Sequence, residues 1–374
     1  MRTDRLIIGV LALVVLGGTV AAGGILWRGH SLLGSSDVVQ WNIFVPMYAY
    51  LAGIATGLAM ISCLGPVFGL KRYQPLAVVG LFVSIFTMLA AFASIMLDLG
   101  RPWMAFGFLF YPNPSSPIWW MAMLYGVFLA CVVLTLSALV SGRDHMARIG
   151  GVLTLVFALA ASGNLGLVFG SVYTRDLWYG PFTPFTFVMV AWILGTAVLF
   201  LLQNVREETF GRMSGSTVRE LRYVLVGLLV MRLIYTATKV LMGFYVAKGD
   251  MLILISGSFW VNFWIGEVFI GIVLPLALFW VTVRGNQLTV IDRIGAGMVL
   301  VGFFMARYNL VIAGQMYPLV EGHAKGSYMP TLAEIVVMAG LTAFILLALR
   351  VGRSLALPRF QDRIASMSSP GGKP

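Results

Sequence analysis

LAVVGLFVSIFTMLAAFASIMLDLGRPW, Leu76 to Trp103, holds no charged side chain over residues 76–97, and then an acid, a base, a proline and a tryptophan arrive together. Some twenty apolar residues at about 1.5 Å rise match the roughly 30 Å hydrocarbon thickness of a bilayer, so the stretch predicts a transmembrane helix ending at an interface. Pro102 cannot continue the helix and Gly100 tolerates the turn it forces. Asp98 and Arg101, at i and i+3, are expected to share a helix face and to pair there. As an isolated feature this is a membrane-surface ion pair; its neighbours give it more weight.

Working outward, the same pattern recurs. The chain has 374 residues, 60% hydrophobic and 10% charged, with a mean hydropathy of +0.93, which places it among integral membrane proteins of all-α polytopic class. Ten apolar segments are long enough to cross, near 6–27, 44–70, 75–97, 117–141, 149–173, 182–203, 221–246, 256–283, 290–316 and 331–352. The first also resembles a signal peptide, but its apolar run is long for one, and it is read as a span. Cys63 and Cys131 lie in apolar runs without CxxC spacing, and His30, His145 and His323 fall in expected loops, so no haem, iron–sulfur or metal site is expected in this chain.

The net charge of +11 does not point to nucleic acid, because the basic residues are dispersed over short loops. Counted on alternate sides of ten spans, seventeen Lys and Arg fall on one side (among them Lys71, Arg72, Arg212, Arg222, Arg284 and Arg293) and five on the other: Arg28, Arg101, Arg175, Lys248 and Lys325. The remaining three of the 25, Arg232, Lys239 and Arg307, lie within spans. The positive-inside rule then puts both termini in the cytoplasm and LDLGRPW on the outer face. The tail beyond Leu357, ending SMSSPGGKP, is expected to be disordered.

Charges inside spans cost several kcal/mol unless paired and are functional candidates by default. Arg232 and Lys239, seven residues apart, share a face of the seventh span; Glu267 lies near the middle of the eighth, Arg307 in the outer half of the ninth, and Asn164 adds an amide in the fifth. Arginine stays protonated, so something must neutralise this group: Glu334, Asp98, a deprotonated Lys239, backbone carbonyls, or an anionic partner in a water-filled cavity. Two readings stand, a dry ion-pair knot holding the second half together and a hydrated proton path. In the first half the inner charges are absent. Trp41, Tyr48, Tyr50, Trp119, Trp120 and Tyr125 gather near Asp98 in the sequence pattern, and an aromatic wall with a few hydrogen-bonding groups suits a flat redox-active ring with an apolar tail.

WNIFVPMYAYLAGIATG followed by LDLGRPW resembles the first-half signature of the NrfD/polysulfide-reductase (PsrC) membrane-subunit family; FWIGEVFIGIVLPLALFW, MARYNLVIAGQ and YMPTLAE are similar to its ten-span HybB/DsrP-like branch. The resemblance implies two four-helix bundles, residues 40–175 and 180–318, with a peripheral first span in 1–30 and a last span and tail in 330–374. It implies a quinone- or quinol-reactive subunit of a modular respiratory oxidoreductase, not a complete enzyme alone, in the prokaryotic cytoplasmic membrane. Such a subunit exchanges electrons between menaquinone or ubiquinone and a ferredoxin-like iron–sulfur subunit on the outer face, carries no redox centre of its own, and assembles with further catalytic or cytochrome subunits. The quinone site it implies comprises Gln40, Trp41, Tyr48, Asp98, Arg101 and Tyr125; Asn164, Arg232, Lys239, Glu267 and Arg307 then form the proton path. Some relatives carry a histidine near the start of the second span where QWN here supplies Gln40, which hydrogen-bonds a quinone oxygen but takes no proton. The alternatives are a secondary transporter or channel, against which the lack of matching Gly/Pro-broken spans in the two halves argues, and a purely structural anchor.

Cysteine-accessibility labelling tests the charge count. With ten spans and both ends cytoplasmic, a cysteine at Gly100 reacts with an impermeant reagent added outside and one at Arg212 does not; labelling of both from the same side overturns the topology.

Overall fold

An apolar chain in a bilayer satisfies its backbone hydrogen bonds internally, and helices do this within each segment. The computed structural model describes residues 2–203, 213–246, 249–316 and 326–355, and among these there is helix, turn and coil but no strand. Ten helices have the length and apolarity to span a membrane: α1 Arg5–Arg28, α2 Phe44–Phe68, α3 Leu76–Asp98, α4 Pro117–Val140, α5 Asp144–Gly170, α6 Thr183–Leu202, α7 Gly215–Tyr245, α8 Asn262–Thr282, α9 Val290–Met316 and α10 Leu332–Gly352. The expected segments are all present. Three boundaries differ: α7 begins six residues earlier than its apolar run, α5 begins at Asp144 so that His145 is helical rather than in a loop, and a short helix Gly249–Ile255 precedes α8. Arg206, Arg212, Lys248, His323, Lys325 and the tail expected to be disordered lie outside the described residues.

The hub is α2, buried along nearly its whole length. Against α3 it is pinned by hydroxyls, Ser84 donating to the Ala55 carbonyl at 2.7 Å and Ser94 to that of Phe44 at 2.9 Å. Against α6 it is pinned by absence of side chain. A Cβ on Gly57 would run into the Ala191 carbonyl, and one on Gly195 would run into the backbone of Gly57. Small residues let backbones touch where lipid supplies no hydrophobic drive. The outermost pair, α1 and α10, meets in the same way at Gly18 and Gly340, where an added Cβ would lie 2.7 Å from the opposite Cα. Helix α10 rests on α3, α4 pairs with α5, and α8 crosses α9 at Gly271 and Gly302.

The loops sort into two ends. At one, Arg72 pairs with Glu220 at 2.6 Å and Arg222 reaches the α8–α9 turn. At the other, the Trp41 backbone binds the Gln315 side chain, Tyr328 accepts from the Ile43 amide, and Thr331 donates to the Leu32 carbonyl. These are called below the Arg222 end and the Asp98 end.

At the Arg222 end sits a completed ionic knot. The guanidinium is fully buried and spends every donor: Nε and Nη2 on the two Asp292 oxygens (2.9 and 2.8 Å), Nη1 on the carbonyls of Thr282 and Gly285 (2.6 and 2.7 Å), and Nη2 also on that of Gln287 (3.0 Å). Asp292 in turn accepts from the Thr282 hydroxyl and, with Thr289, forms the capping box that starts α9. One knot therefore joins α7, the end of α8 and the start of α9. Removing one partner strands a buried charge, so Arg222→Ala is expected to cost about 3–5 kcal/mol. Arg72→Ala, whose ion pair is about two-fifths exposed, should cost under about 1 kcal/mol. Thermal melts in detergent check the contrast; equal shifts refute it.

Candidate functional site

Helix α3 ends at Asp98. Leu99 caps it, Gly100 turns the chain at φ +67°, and Arg101, at φ −129° and ψ 76°, already stands outside the helix before Pro102 opens a 3₁₀ segment to Leu109. The expected i, i+3 pair therefore does not form: Arg101 is exposed, with Leu99, Gly100, Met104 and Ala105, around an open groove of about 470 Å³. Asp98 turns inward instead. Its carboxyl takes a hydrogen bond from the Asn42 backbone and lies within electrostatic range of Glu334. One Asp98 oxygen, Oδ1, is buried and unpartnered among the described residues. Asn42 is fully buried beside it, its Oδ1 accepting from the Phe44 amide at 2.9 Å and its Nδ2 unpartnered. A lone acceptor and a lone amide donor thus sit at the junction of α2 and α3, and leaving each unmet costs about 1–3 kcal/mol.

Of the other residues expected around a quinone, Gln40 is exposed and Trp41 acts as a strut. Its backbone is clasped by Gln315 at 2.9 and 3.1 Å, and its indole stacks on Trp178 at 5.1 Å and meets Phe169 edge-on at 5.7 Å. Tyr48, six residues (about 9 Å) beyond Asn42 along the chain, packs edge-on against Tyr125 at 6.0 Å, both buried. The Tyr125 hydroxyl, unpartnered by strict geometry, stands beside Ser162, which donates to Thr56 at 2.8 Å. The six residues are thus dispersed: Asp98 at the α2–α3 junction, the two tyrosines deeper, Arg101 and Gln40 on the surface.

The second half gathers more tightly. Arg232 Nη2 donates to Glu267 Oε1 at 2.8 Å and Asn309 Nδ2 to Glu267 Oε2 at 3.0 Å. Lys239 donates to the Leu177 carbonyl at 2.7 Å, and the Arg307 guanidinium lies 3.6 Å over the Phe187 ring. These four charged residues and Asn309 line a cavity of about 50 Å³ with Tyr235 and Thr236. Both Glu267 and Asn309 lie on π-helical turns, Asn262–Val273 and Asn309–Ala313, the wide turns that recur at functional sites. Asn164 stands apart, its amide donating to the Pro117 carbonyl at the start of α4. Nor does Glu334 neutralise the arginines: its two oxygens accept from Gly34, Tyr328 and Thr331. Burial and the adjoining Glu334 carboxylate push the Tyr328 phenol above its ordinary range. Sequence reasoning missed Asn42 as a candidate, because a polar residue before a span reads as an interface residue; Tyr235 and Thr236, one turn beyond Arg232, were legible only through that neighbour.

The family described as "Polysulphide reductase, NrfD" matches residues 31–319. The chain is 26% identical over 371 residues to an Hdr-like menaquinol oxidoreductase integral membrane subunit of Archaeoglobus fulgidus, with 92% of each chain covered. It is 22% identical over 397 residues to the selenate reductase C-type subunit of Mesobacillus selenatarsenatis, again with 92% of each covered.

Proposed function

The chain belongs to the NrfD polysulphide reductase family, and from that premise we propose that it is the quinone-reactive membrane subunit of a multi-subunit oxidoreductase in a prokaryotic cytoplasmic membrane, both termini cytoplasmic. The observation that carries this reading is the unmet pair at the α2–α3 junction, Asp98 Oδ1 and Asn42 Nδ2. An acceptor and a donor fit the hydroxyl of a quinol and the carbonyl of a quinone respectively. The relatives' names support the class of substrate, since one is a menaquinol oxidoreductase subunit. A bound quinol supplies two electrons and two protons. Asp98 would hold one hydroxyl and accept its proton at Oδ1, Asn42 would fix the ring through its amide, and the junction lies at an end of the span, where protons reach bulk water.

The electrons leave to a ferredoxin-like iron–sulfur subunit on the same face. In support, Trp103, Met104, Phe106 and Leu109 of the 3₁₀ segment, with Phe110 and Tyr111, are all exposed beside the junction, an apolar surface larger than a lipid-facing turn requires. Reduction of iron–sulfur clusters by menaquinol in the intact complex, followed optically, tests the assignment. Asp98→Asn should assemble and slow quinol turnover about a hundredfold, the loss of a general base, and Asn42→Leu should raise KM up to about tenfold, the loss of one hydrogen bond. Unchanged turnover in Asp98→Asn at saturating quinol assigns Asp98 a structural role.

A proton path through the second half is part of the proposal, favoured by the unpartnered atoms around the Glu267 cavity. Its Arg222 side is apolar: Leu225 and Leu229 on α7, Phe279 on α8, and Ala296, Val299 and Phe303 on α9 are all buried between the two ionic layers. Those layers are ten residues apart on α7, about 15 Å, so conduction requires this stretch to hydrate during turnover. Glu267→Gln should fold and oxidise quinol in detergent, yet lose membrane-potential generation in liposomes. Failure to assemble makes the cluster a structural ion pair, and an unaffected potential removes Glu267 from any path.

A further inference from the structure

Two arginines are buried in this protein, and they are treated oppositely. Arg222 meets an acceptor with each of its nitrogens. Arg307, 5% exposed, leaves Nε and Nη2 unpartnered among the described residues and has the Phe187 ring beneath it. A desolvated cation–π contact returns about 2 kcal/mol, less than a lone charge costs in a membrane interior. The rest of the cavity has the same bias. Arg232 Nε and the Thr236 hydroxyl are also unmet, and the one unmet acceptor is Asn309 Oδ1. With Lys239 set aside, two permanent cations still face a single carboxylate, Glu267, among the described lining residues.

We propose that this cavity is a binding site for one small inorganic monovalent anion, of which a halide is the simplest. Water alone satisfies the hydrogen bonds and leaves the excess charge. The other carboxylates that could balance it are committed: Asp292 to Arg222, Glu334 to Gly34, Tyr328 and Thr331, and Asp98 to the α2–α3 junction. Size narrows the class. A volume of about 50 Å³ holds about three to five waters, enough for a halide with one or two waters and too little for a lipid headgroup. The route in is from the Asp98 end, where Lys239 and the Leu177 carbonyl, in the loop between α5 and α6, form the rim; the apolar layer of Leu225, Leu229 and Phe279 closes the other side. The anion binds between Arg307 and Arg232, with Thr236 as a neutral donor. This goes beyond the quinone reading and does not rest on it, since binding is an equilibrium property that needs no turnover.

Equilibrium dialysis of the purified complex against radiolabelled chloride, with gluconate as the replacing anion, tests the site. The wild type should bind one chloride per chain saturably. Arg307→Gln should abolish this binding. Thr236→Val, which removes a hydroxyl and no charge, should weaken it roughly tenfold or more, as expected for a hydrogen bond to a charged group, and Arg72→Ala at the far end should leave it unchanged. Absence of saturable chloride in a complex that oxidises quinol normally overturns the anion site and leaves the quinone reading standing. Binding that persists in an assembled Arg307→Gln also overturns it; if that variant does not assemble, an unaltered affinity in Thr236→Val does so alone.

Discussion

An arginine cannot shed its proton inside a membrane, so each buried guanidinium dictates what surrounds it. Arg222 is met by a carboxylate and three carbonyls from the α8–α9 turn, and the outcome is a closed structural joint with Asp292 that also caps α9. Arg232 is met by one oxygen of Glu267, and Arg307 by an aromatic face. The gradient from saturated to unmet runs along α7 and α9 from the Arg222 end toward the membrane interior. It separates a part of the bundle that must not move from a part that must hold something.

Close backbone contact lets these two parts be built on the same helices. Gly57 against Ala191 and Gly195 brings α2 and α6 together without side chains between them, and this seam joins the first half to the second. Aromatic rings bridge the halves above it: Trp41 stacks on Trp178, both meet Phe169 edge-on, Phe169 stacks on Phe187 at 5.7 Å, and Phe187 carries Arg307. Trp41, which the sequence pattern assigns to a ligand wall, is thus the first member of a packed column ending at the charged cavity. The physical reason is its backbone: clasped by Gln315 of α9, the residue faces the seam rather than the α2–α3 junction.

What was legible in the sequence follows from period and cost. The ten spans are legible because an uninterrupted run of about twenty apolar residues suits a bilayer and little else, and the gathering of Arg232, Lys239, Glu267 and Arg307 is legible because charges in lipid must find one another. Details that depend on a single backbone angle are not. Asp98 and Arg101 have helical spacing, but Gly100 adopts φ +67° between them and the two side chains part. Asn164 has the chemistry of a proton relay, but its helix directs it to the Pro117 carbonyl. The π turns at Glu267 and Asn309 shift the register of their faces, and a reading at 3.6 residues per turn does not place either residue.

The orphaned atoms, in turn, are more informative than the satisfied ones. Native proteins leave few buried polar atoms unmet, yet here Asn42 Nδ2, Asp98 Oδ1 and the Tyr125 hydroxyl in the first half, and Arg232 Nε, Thr236 Oγ1, Arg307 Nε and Nη2 and Asn309 Oδ1 in the second, all lack protein partners among the described residues. They fall into two groups of different character. The first is neutral or acidic, suited to a ligand that releases protons; the second is cationic, suited to one that brings negative charge. Arg307 stands close enough to Tyr125 for its charge to be felt there, so the groups are electrostatically continuous across the Gly57–Gly195 seam. A negative charge seated beside Arg307 weakens the field that Arg307 exerts at Tyr125, and a proton leaving the first group then meets a less repulsive second one. Occupancy of one half therefore bears on proton affinity in the other through Coulomb interaction alone, with no movement of helices required.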